Sequence, residues 1–262
     1  MPCGLVAGNP WRRHLWSNFD FTASNPKALA EEYLENGFVP LKDGFRKRAC
    51  VDCDLCVPVR IDLENFDEQV TDSKKLRSER KHILRHNDDL ETFFRNDLPP
   101  IGIFTDGGLA LSPHVQLLEK YTHARFPLKK KFNAAVEVQS MNYPGFDPVS
   151  LDLVAPQNFL AGVSIAHIAH HSAYATKIFF DPSLTKQGMG LYLMLETIRL
   201  LKDQNLKYLY IAEWTKSTSS LSWKDKLTPF EIYIDDEWIR YDHRDIRIIR
   251  DHRHDIYPGP GQ

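Results

Sequence analysis

Cysteine is the residue type whose spacing in this chain points most directly to chemistry. Cys50, Cys53 and Cys56 are each separated by two residues, and Cys3 lies near the start of the chain. Four thiolates at such spacing suit tetrahedral Zn²⁺ or an iron–sulfur cluster. The alternative is a group of reduced, buried thiols, since the cluster does not resemble a disulfide framework. We therefore expect either a metal site at these four residues or a set of reduced thiols.

A second candidate site is a turn that contains Gly188 and Gly190, between a strand pattern and a helix pattern. The first turn of a helix has backbone N–H groups without partners inside the helix, and this end attracts anions such as phosphate. The alternative is a tight strand-to-helix turn that binds nothing. The pattern predicts an anion site at the start of this helix.

A strongly basic helix is predicted from Ser73 onward. Between Lys74 and Arg85 there are six Lys or Arg residues and one acid, Glu79. Apolar residues form a narrow stripe, so the helix packs on one side and presents its charge on the other. Such a face binds RNA phosphates in a salt-dependent, largely sequence-independent way, or it is an ordinary solvated face. The residues expected to contact RNA are Arg77, Arg80, Lys81 and Arg85.

The elements that position these residues follow from periodicity. Residues 173–180 are β-branched and aromatic and predict a strand, and apolar residues at helical spacing predict a helix that ends near Leu201. Residues 207–212 predict a second strand, and residues 159–168 predict a hairpin partner for the first. This order resembles that of the acetyltransferase-like (GNAT) fold. We expect an α+β protein with a GNAT-like mixed sheet flanked by helices.

The domain organisation follows from where these patterns lie in the 262 residues. Residues 1–98 are expected to form a smaller N-terminal domain that holds the cysteines and the basic helix. Residues 99–241 are expected to form the GNAT-like domain. Residues 242–262 are rich in Arg, His and Asp and are expected to be a C-terminal tail.

Composition narrows the classes of function. The fractions of 42% hydrophobic and 26% charged residues are ordinary for a globular protein. No apolar run approaches the roughly 18 residues of a membrane span, and the N-terminus lacks signal-peptide features, so we expect a cytoplasmic protein without a membrane partner. A net charge of −2 argues against non-specific nucleic-acid binding as the whole function, but it permits a local basic face.

Several segments together resemble the arginyl- and leucyl-tRNA–protein transferases, which move an amino acid from tRNA to the N-terminus of a protein. The cysteine segment, which continues through Pro58 to Arg60, followed by the basic helix, is the most specific of them. The others are Asn87-Asp88-Asp89-Leu90, Tyr121 with Arg125, Phe179-Phe180-Asp181-Pro182, Tyr208 to Trp214, and Trp223-Lys224. They occur in the family's order, and the single early Cys3 is closer to the bacterial branch.

The resemblance implies transfer of Leu or Arg from charged tRNA to the α-amine of a protein that begins with Asp or Glu. Because the tRNA ester is already activated, the chemistry requires no cofactor. The enzyme must hold a neutral amine near the carbonyl and stabilise the oxyanion. The resemblance implies that Asp181 orients or deprotonates the amine. The alternative is that Asp181 caps the turn with Pro182.

The remaining site residues follow from the same resemblance. The residues expected around the aminoacyl group and the tRNA end are Gly188, Gly190, Tyr210, Trp214 and Lys224, with a core position as the alternative for Tyr210. The residues expected to bind an acidic acceptor are Arg48, Arg60 and Arg125, since a guanidinium binds carboxylate bidentately. The alternative for each arginine is a surface salt bridge. In the family the cysteine region has been connected with an iron–sulfur cluster.

The chain departs from the family pattern at three places. Arg125-Phe126 stands where the family has Arg-His, and Ala212-Glu213-Trp214 stands where it has Gly-Tyr-Trp. Cys3 is not followed by the usual Tyr-Leu-Pro. These departures leave open which amino acid is carried and which acceptor receives it.

Three other functions fit part of the pattern. An acyl-CoA-dependent GNAT N-acetyltransferase would use the glycine turn for a pyrophosphate, but Thr185 stands where that motif begins with Gln or Arg, and the basic helix is then unexplained. The same tRNA donor with a free amino acid or small-molecule acceptor is the second alternative. The third is a non-catalytic protein that binds RNA or acidic N-termini.

Overall fold

The computed structural model describes residues 14–20, 22–48, 56–68, 73–105, 108–127, 132–215 and 219–241. The strands are β1 His14–Asn18, β2 Val39–Leu41, β3 Gly44–Arg48, β4 Val57–Asp62, β5 Glu91–Arg95, β6 Gly102–Thr105, β7 Gly108–Leu111, β8 Asp147–Ala155, β9 Phe159–Ile168, β10 Ser172–Phe180, β11 Tyr208–Trp214, β12 Phe230–Ile234 and β13 Glu237–Tyr241. The α-helices are α1 Pro26–Glu35, α2 Lys74–His86, α3 Pro113–Arg125, α4 Ala134–Gln139, α5 Met189–Asp203 and α6 Ser219–Ser222. Short 3-10 turns lie at Pro156–Asn158, Pro182–Gln187 and Trp223–Leu227.

An eight-stranded mixed sheet forms the centre of the structure, in the order β13-β12-β4-β11-β10-β9-β8-β5. Strands β10 and β11 are parallel, and the other neighbouring pairs are antiparallel. A parallel pair needs a long crossover, which α5 supplies. The predicted hairpin, helix and following strand are therefore confirmed, and with them the α+β class and the GNAT-like order of elements.

The sheet opens between β10 and β11. These strands pair only at residues 172–174 and 208–210. Strand β10 then continues along β9 with a bulge between Ala175 and Lys177, while β11 follows β4 with a register shift between Tyr210 and Glu213. Beyond the paired residues, β10 stays paired with β9 and β11 stays paired with β4, but β10 and β11 no longer pair with each other. This leaves a gap in the middle of the sheet.

Helix α5 closes one face of the sheet beside this gap. Nine of its 15 residues are buried, so the helix is enclosed on most of its circumference. Its N-cap is Gly188, whose φ of 72° is left-handed. A Cβ at Gly188 would lie 2.7 Å from Cδ1 of Ile83 in α2, so glycine satisfies both the backbone conformation and the close packing of α2.

Alternate residues of the paired segments pack on opposite faces of the sheet, as the two-residue period of a strand requires. Ala173 and Leu209 join the core cluster formed with α5. Tyr174 and Tyr210 join a second cluster with α1 and the β2–β3 hairpin. A third cluster lies between α3, α4 and strands β9 and β10. The paired residues at the start of the gap therefore have packed core on both faces of the sheet.

The predicted division of the chain between residues 98 and 99 remains a prediction. The sheet takes β4 and β5 from the first 98 residues and its other six strands from the rest of the chain. The predicted tail at 242–262 lies outside the described residues. In the described part of the chain, no helix has both the length and the apolar character that crossing a membrane requires.

A buried arginine anchors α2 to the segment before β12. Arg80 is 1% exposed and donates to the carbonyl oxygens of Lys226, at 3.0 and 2.7 Å, Thr228, at 2.6 Å, and Glu68, at 3.0 Å. Burial lowers the pKa of Arg80 to about 10, so it stays charged near neutral pH. Because its guanidinium is occupied inside the protein, this geometry weighs against the RNA contact expected of Arg80.

We expect Arg80→Met to lower the free energy of unfolding by about 3 kcal/mol, because three buried or partly buried carbonyl groups lose a charged donor. Urea denaturation followed by circular dichroism measures this change. Lys81→Met is the matched control on the same helix, where the side chain is exposed, and it should change stability by less than about 0.5 kcal/mol. Equal effects of the two substitutions would contradict the anchoring role.

Candidate active site

A cavity of about 690 Å³ lies where β10 and β11 separate. Its walls come from α3, β10, the Pro182–Gln187 turn, the start of α5, β11 and the Trp223–Leu227 turn. The charged side chains that line it are Arg125, Lys177, Lys224 and Lys226. Among the described residues, no carboxylate lines the cavity. A volume of this size and a cationic wall suit a ligand that carries negative charge.

The predicted glycine turn is part of this cavity. Gly188 and Gly190 both line it, together with Pro182 and Thr185. The carbonyl of Gly188 accepts from the N–H groups of Leu191 and Tyr192, so the first turn of α5 is formed there. The positive end of a 15-residue helix therefore adds to the cationic character of the cavity.

Lys224 is the buried cation of the site. It is 5% exposed, and its Nζ donates to the backbone carbonyl of Glu213. Burial lowers the pKa of Lys224 to about 8, with Arg48 adding to the effect and two neighbouring acidic groups opposing it. A lysine near this pKa is mainly protonated at neutral pH, but it can give up its proton more readily than a surface lysine.

Arg48 is held away from the cavity by Glu213. Its Nε donates to Oε1 of Glu213 at 2.8 Å, and Nη2 of Arg46 lies 3.9 Å from the same oxygen. Burial by itself would raise the pKa of Glu213, but the two arginines hold it below the ordinary value. Arg48 therefore neutralises a buried carboxylate, and Glu213 binds Arg48 through its side chain and Lys224 through its backbone.

Arg60 is occupied in a similar way. Its Nε donates to Oε2 of Glu231 at 2.5 Å, and its guanidinium carbon lies 3.7 Å from the ring centre of Tyr208 and 4.4 Å from that of Trp238. It does not line the cavity. Of the three arginines expected to bind an acidic acceptor, Arg125 is the one in the cavity wall, where it is exposed.

Tyr210 and Trp214 are core residues in this structure. Tyr210 is buried beside Trp238, with ring centres 5.5 Å apart, and burial raises its pKa. The Trp214 ring centre lies 5.2 Å from that of Tyr241, also in the core. Neither lines the cavity. Their burial favours a core position for Tyr210 over a role in binding the aminoacyl group, and the same holds for Trp214.

Asp181 caps the turn that precedes α5. Its Oδ1 accepts from the backbone N and Oγ of Ser183, at 3.0 and 2.7 Å, and its Oδ2 accepts from Nζ of Lys120 at 2.6 Å. Burial would raise the pKa of Asp181, but these donors hold it below the ordinary value. A saturated carboxylate of lowered pKa is a weak proton acceptor, so the geometry favours the capping role over that of a base.

The cysteine prediction falls mostly outside the described residues. Cys3, Cys50 and Cys53 lie there, while Cys56 is partly buried just before β4. Across the ranges that the structure describes, no group of three or more His, Cys, Asp or Glu residues is placed to hold a metal. Cys56 is close enough to raise the pKa of Lys224, so the cysteine segment ends near the cavity. The metal site remains a prediction.

The basic helix borders the cavity through Ile83. Arg77, Lys81 and Arg85 are exposed on α2, whereas Arg80 points into the protein. Three of the four residues expected to bind RNA are thus accessible. Glu79, the one acid of the basic helix, pairs with Lys226 of the cavity wall.

Sequence reasoning did not select Thr176, Lys177 or Lys226, which also line the cavity. Lys177 pairs with Glu137 at 2.8 Å. Neither Lys177 nor Lys226 belongs to a motif that would identify it as a site residue. Thr176 lies at the bulge of β10. A bulge depends on pairing between strands, so no local signal indicated that these side chains share a site.

One departure from the family pattern has a conformational consequence. Ala212 stands where the pattern has Gly, and its φ is 58°. An L-residue in this left-handed region costs roughly 1–2 kcal/mol relative to glycine. An alanine thus adopts here a backbone conformation that glycine would adopt without this cost.

Comparison with known proteins gives the following similarities. Residues 113–234 match the family described as arginine-tRNA-protein transferase, C terminus. An aspartate/glutamate leucyltransferase of Saccharophagus degradans is 27% identical over 214 residues, which cover 76% of this chain and 80% of that protein. One of Nitrosococcus oceani is 26% identical over 247 residues, covering 84% of this chain and 95% of that protein. A solved C-terminal domain of a putative lysylphosphatidylglycerol synthetase from Agrobacterium fabrum gives a TM-score of 0.47 at 12% identity, covering 90% of this chain and 72% of that one.

Replacing Lys224 by Met is expected to remove a pH dependence of stability. The pKa of Lys224 is about 8 in the folded protein, below the ordinary lysine value of 10.5. The unfolded chain therefore binds more protons between these values, and the free energy of unfolding falls by about 3 kcal/mol as the pH drops from 10.5 to 8. Urea denaturation at pH 8 and pH 10 measures this slope. Lys186→Met, at an exposed lysine, should keep the wild-type slope, and retention of the slope in Lys224→Met would contradict the assignment.

Proposed function

We propose, from the sequence similarity of this chain to arginine-tRNA-protein transferases and aspartate/glutamate leucyltransferases, that it transfers Leu or Arg from charged tRNA to the α-amine of a protein that begins with Asp or Glu. The observation that carries the proposal is the cationic cavity at the opening of the sheet. Its four charged side chains all lie within residues 113–234, the segment that matches the transferase family. Both substrates bring negative charge, one as phosphate and the other as an acidic side chain.

In the proposed reaction, the amine nitrogen of the acceptor attacks the ester carbonyl carbon of the aminoacyl group. A C–N bond forms, the C–O bond to the terminal ribose breaks, and one amine proton ends on the ribose oxygen. No metal or covalent intermediate is needed because the ester is already activated. The protein must bring the two substrates together and stabilise the oxyanion, and these two effects supply most of the rate enhancement.

We assign the donor end of the site to the glycine turn and Lys224. The first turn of α5, at Gly188 and Gly190, is suited to a phosphate of the tRNA 3′ end. Lys224 is buried in the adjoining wall, where an ammonium interacts strongly with a developing oxyanion. The exposed basic residues of α2 continue from the cavity and are suited to the phosphates of the acceptor stem.

We assign recognition of the acidic acceptor to Arg125. Arg48 and Arg60 are paired with Glu213 and Glu231, so neither is available without breaking a buried or partly buried ion pair. Arg125 is the guanidinium in the cavity wall, and it lies next to Tyr121 along one side of α3. A guanidinium binds a carboxylate through two parallel hydrogen bonds, which distinguishes Asp and Glu from their amides.

A transfer assay tests the proposed function. Purified protein is mixed with tRNA charged with labelled Leu or Arg, and with peptides that differ only in beginning with Asp, Glu or Ala. We expect label on the Asp and Glu peptides only, from one of the two donors. The glycine turn would also suit the pyrophosphate of acyl-CoA, so acetyl-CoA without tRNA is the comparison. Acetylation of an amine, together with no transfer from either tRNA, would overturn the proposal in favour of an N-acetyltransferase.

The role of Arg125 is tested by the selectivity of the enzyme for a peptide that begins with Glu over one that begins with Gln. We expect Arg125→Met to reduce the ratio of the two kcat/KM values by about tenfold, corresponding to the loss of a charge-assisted contact, with the KM for charged tRNA unchanged. Lys177→Met is the matched control, since that cation of the same wall is paired with Glu137 and should leave the ratio within about twofold. Equal losses in both variants would show that the cavity senses overall charge and would contradict a specific role for Arg125.

A further inference from the structure

The bulge in β10 places a threonine at the cavity wall. Ala175 and Lys177 pair with Ala166 and Ile165 of β9, and Thr176 between them has no partner in the ladder. A bulge of this kind changes the direction of a side chain relative to the regular strand. Thr176 lines the cavity at the place where the sheet opens.

The hydroxyl of Thr176 is held by a buried histidine. His167 on β9 is 0% exposed; its Nδ1 lies 2.7 Å from Oγ1 of Thr176, and its Nε2 lies 2.5 Å from the carbonyl oxygen of Met141. The ring is packed against Tyr143 and Phe146. Both ring nitrogens are therefore occupied, and the imidazole has little freedom to turn.

These contacts determine which atom carries each proton. A carbonyl oxygen accepts only, so Nε2 of His167 must carry a hydrogen. Burial lowers the pKa of His167 to about 4, and the ring is neutral at physiological pH, so Nδ1 has a free lone pair. Thr176 must then donate its hydroxyl proton to Nδ1. The oxygen of Thr176 then has lone pairs that can accept hydrogen bonds, but no further proton to donate.

A hydroxyl whose proton is committed in this way binds N–H or O–H donors and no acceptors. The ligand group that it fits is a neutral amine, because the cationic wall of the cavity disfavours a charged ammonium. The acceptor of the proposed reaction brings such an amine. One N–H bound to Thr176 would fix the direction of the nitrogen lone pair, which is the orientation that attack on a carbonyl requires.

We propose that Oγ1 of Thr176 accepts a hydrogen bond from the attacking α-amine, and that His167 is the positioning residue that fixes the hydroxyl. The inference rests on the proposed function. Thr176 takes no proton in the step: the C–N bond forms, the C–O bond to the ribose breaks, and the proton of a different N–H ends on the ribose oxygen. Thr176 and His167 thus take over the orienting role that was expected of Asp181.

Thr176→Val and Thr176→Ser test the proposal, because Val keeps the shape without the hydroxyl and Ser keeps the hydroxyl. We expect Val to lower kcat/KM for the acceptor about tenfold, the effect of one hydrogen bond, with the KM for charged tRNA unchanged. Ser should remain within about threefold of wild type. Thr92→Val is the matched control, since Thr92 is an exposed strand threonine that does not line the cavity. Equal losses in Thr176→Val and Thr92→Val would overturn the proposal.

Two measurements remain informative if a variant folds poorly or if transfer is not observed. Nitrogen-15 NMR of the wild-type protein at pH 7 should show His167 as the neutral Nε2–H tautomer, and any other state overturns the assignment of the protons. Binding of two peptides without tRNA isolates the amine: a peptide with a free α-amine, and the same peptide with hydrogen in its place. Thr176→Val should weaken only the first. If Thr176→Val weakens binding of only the first peptide and no transfer is observed, the tRNA donor is refuted and the amine site is retained. If transfer is observed and binding of both peptides is unchanged, the amine site is refuted and the tRNA donor is retained.

Discussion

The separation of β10 from β11 is the constraint on which the rest of the structure depends. The two strands are held in parallel for three residues each and then follow their outer neighbours. The bulge at Thr176 and the left-handed backbone of Ala212 accommodate this divergence on either side. Without it, the start of α5 would face a closed sheet. With it, the first turn of α5, Thr176 of β10, helix α3 and the Trp223–Leu227 turn reach a single cavity.

Electrostatics then decide which of the many basic residues are available in that cavity. Arg48, Arg60, Lys177 and Lys226 are each paired with a glutamate, and these pairs involve partners far away along the chain. Pairing keeps their charge in place and occupies their donors. Arg125 and Lys224 differ from them, since the first is exposed in the wall and the second donates to a backbone carbonyl. The carboxylates lie behind the cavity wall, so its lining is cationic although the chain as a whole carries a net charge of −2.

Glu213 connects a buried ion pair with the buried lysine of the cavity. Its carboxylate neutralises Arg48, and its carbonyl binds Lys224, so one residue of β11 supports both a buried ion pair and the buried cation of the site. The related family pattern has a different residue at this position. Glu213 belongs to the polar network behind the cavity, and Ala212 beside it adopts the left-handed backbone that glycine favours.

The sequence by itself determined the local elements. Strand and helix periodicity predicted β9, β10, α5 and β11 in their correct order, and Asn25, Ser73 and Ser112 accept from the first turns of α1, α2 and α3 as helix caps do. These features depend on neighbours within a few residues, which a sequence displays directly. The glycines of the α5 turn were found for the same reason.

Only the tertiary structure decided the roles of individual side chains. Arg80 was expected to face RNA, but the carbonyl groups that bind its Nε and Nη2 lie about 146 residues further along the chain. Thr176 gained its position from strand pairing, and the donors around Asp181 favour its capping role. Burial and long-range partners set the pKa and the accessibility of each group. Neither quantity is a property of a residue and its neighbours in sequence, because both depend on which distant segments the fold brings together.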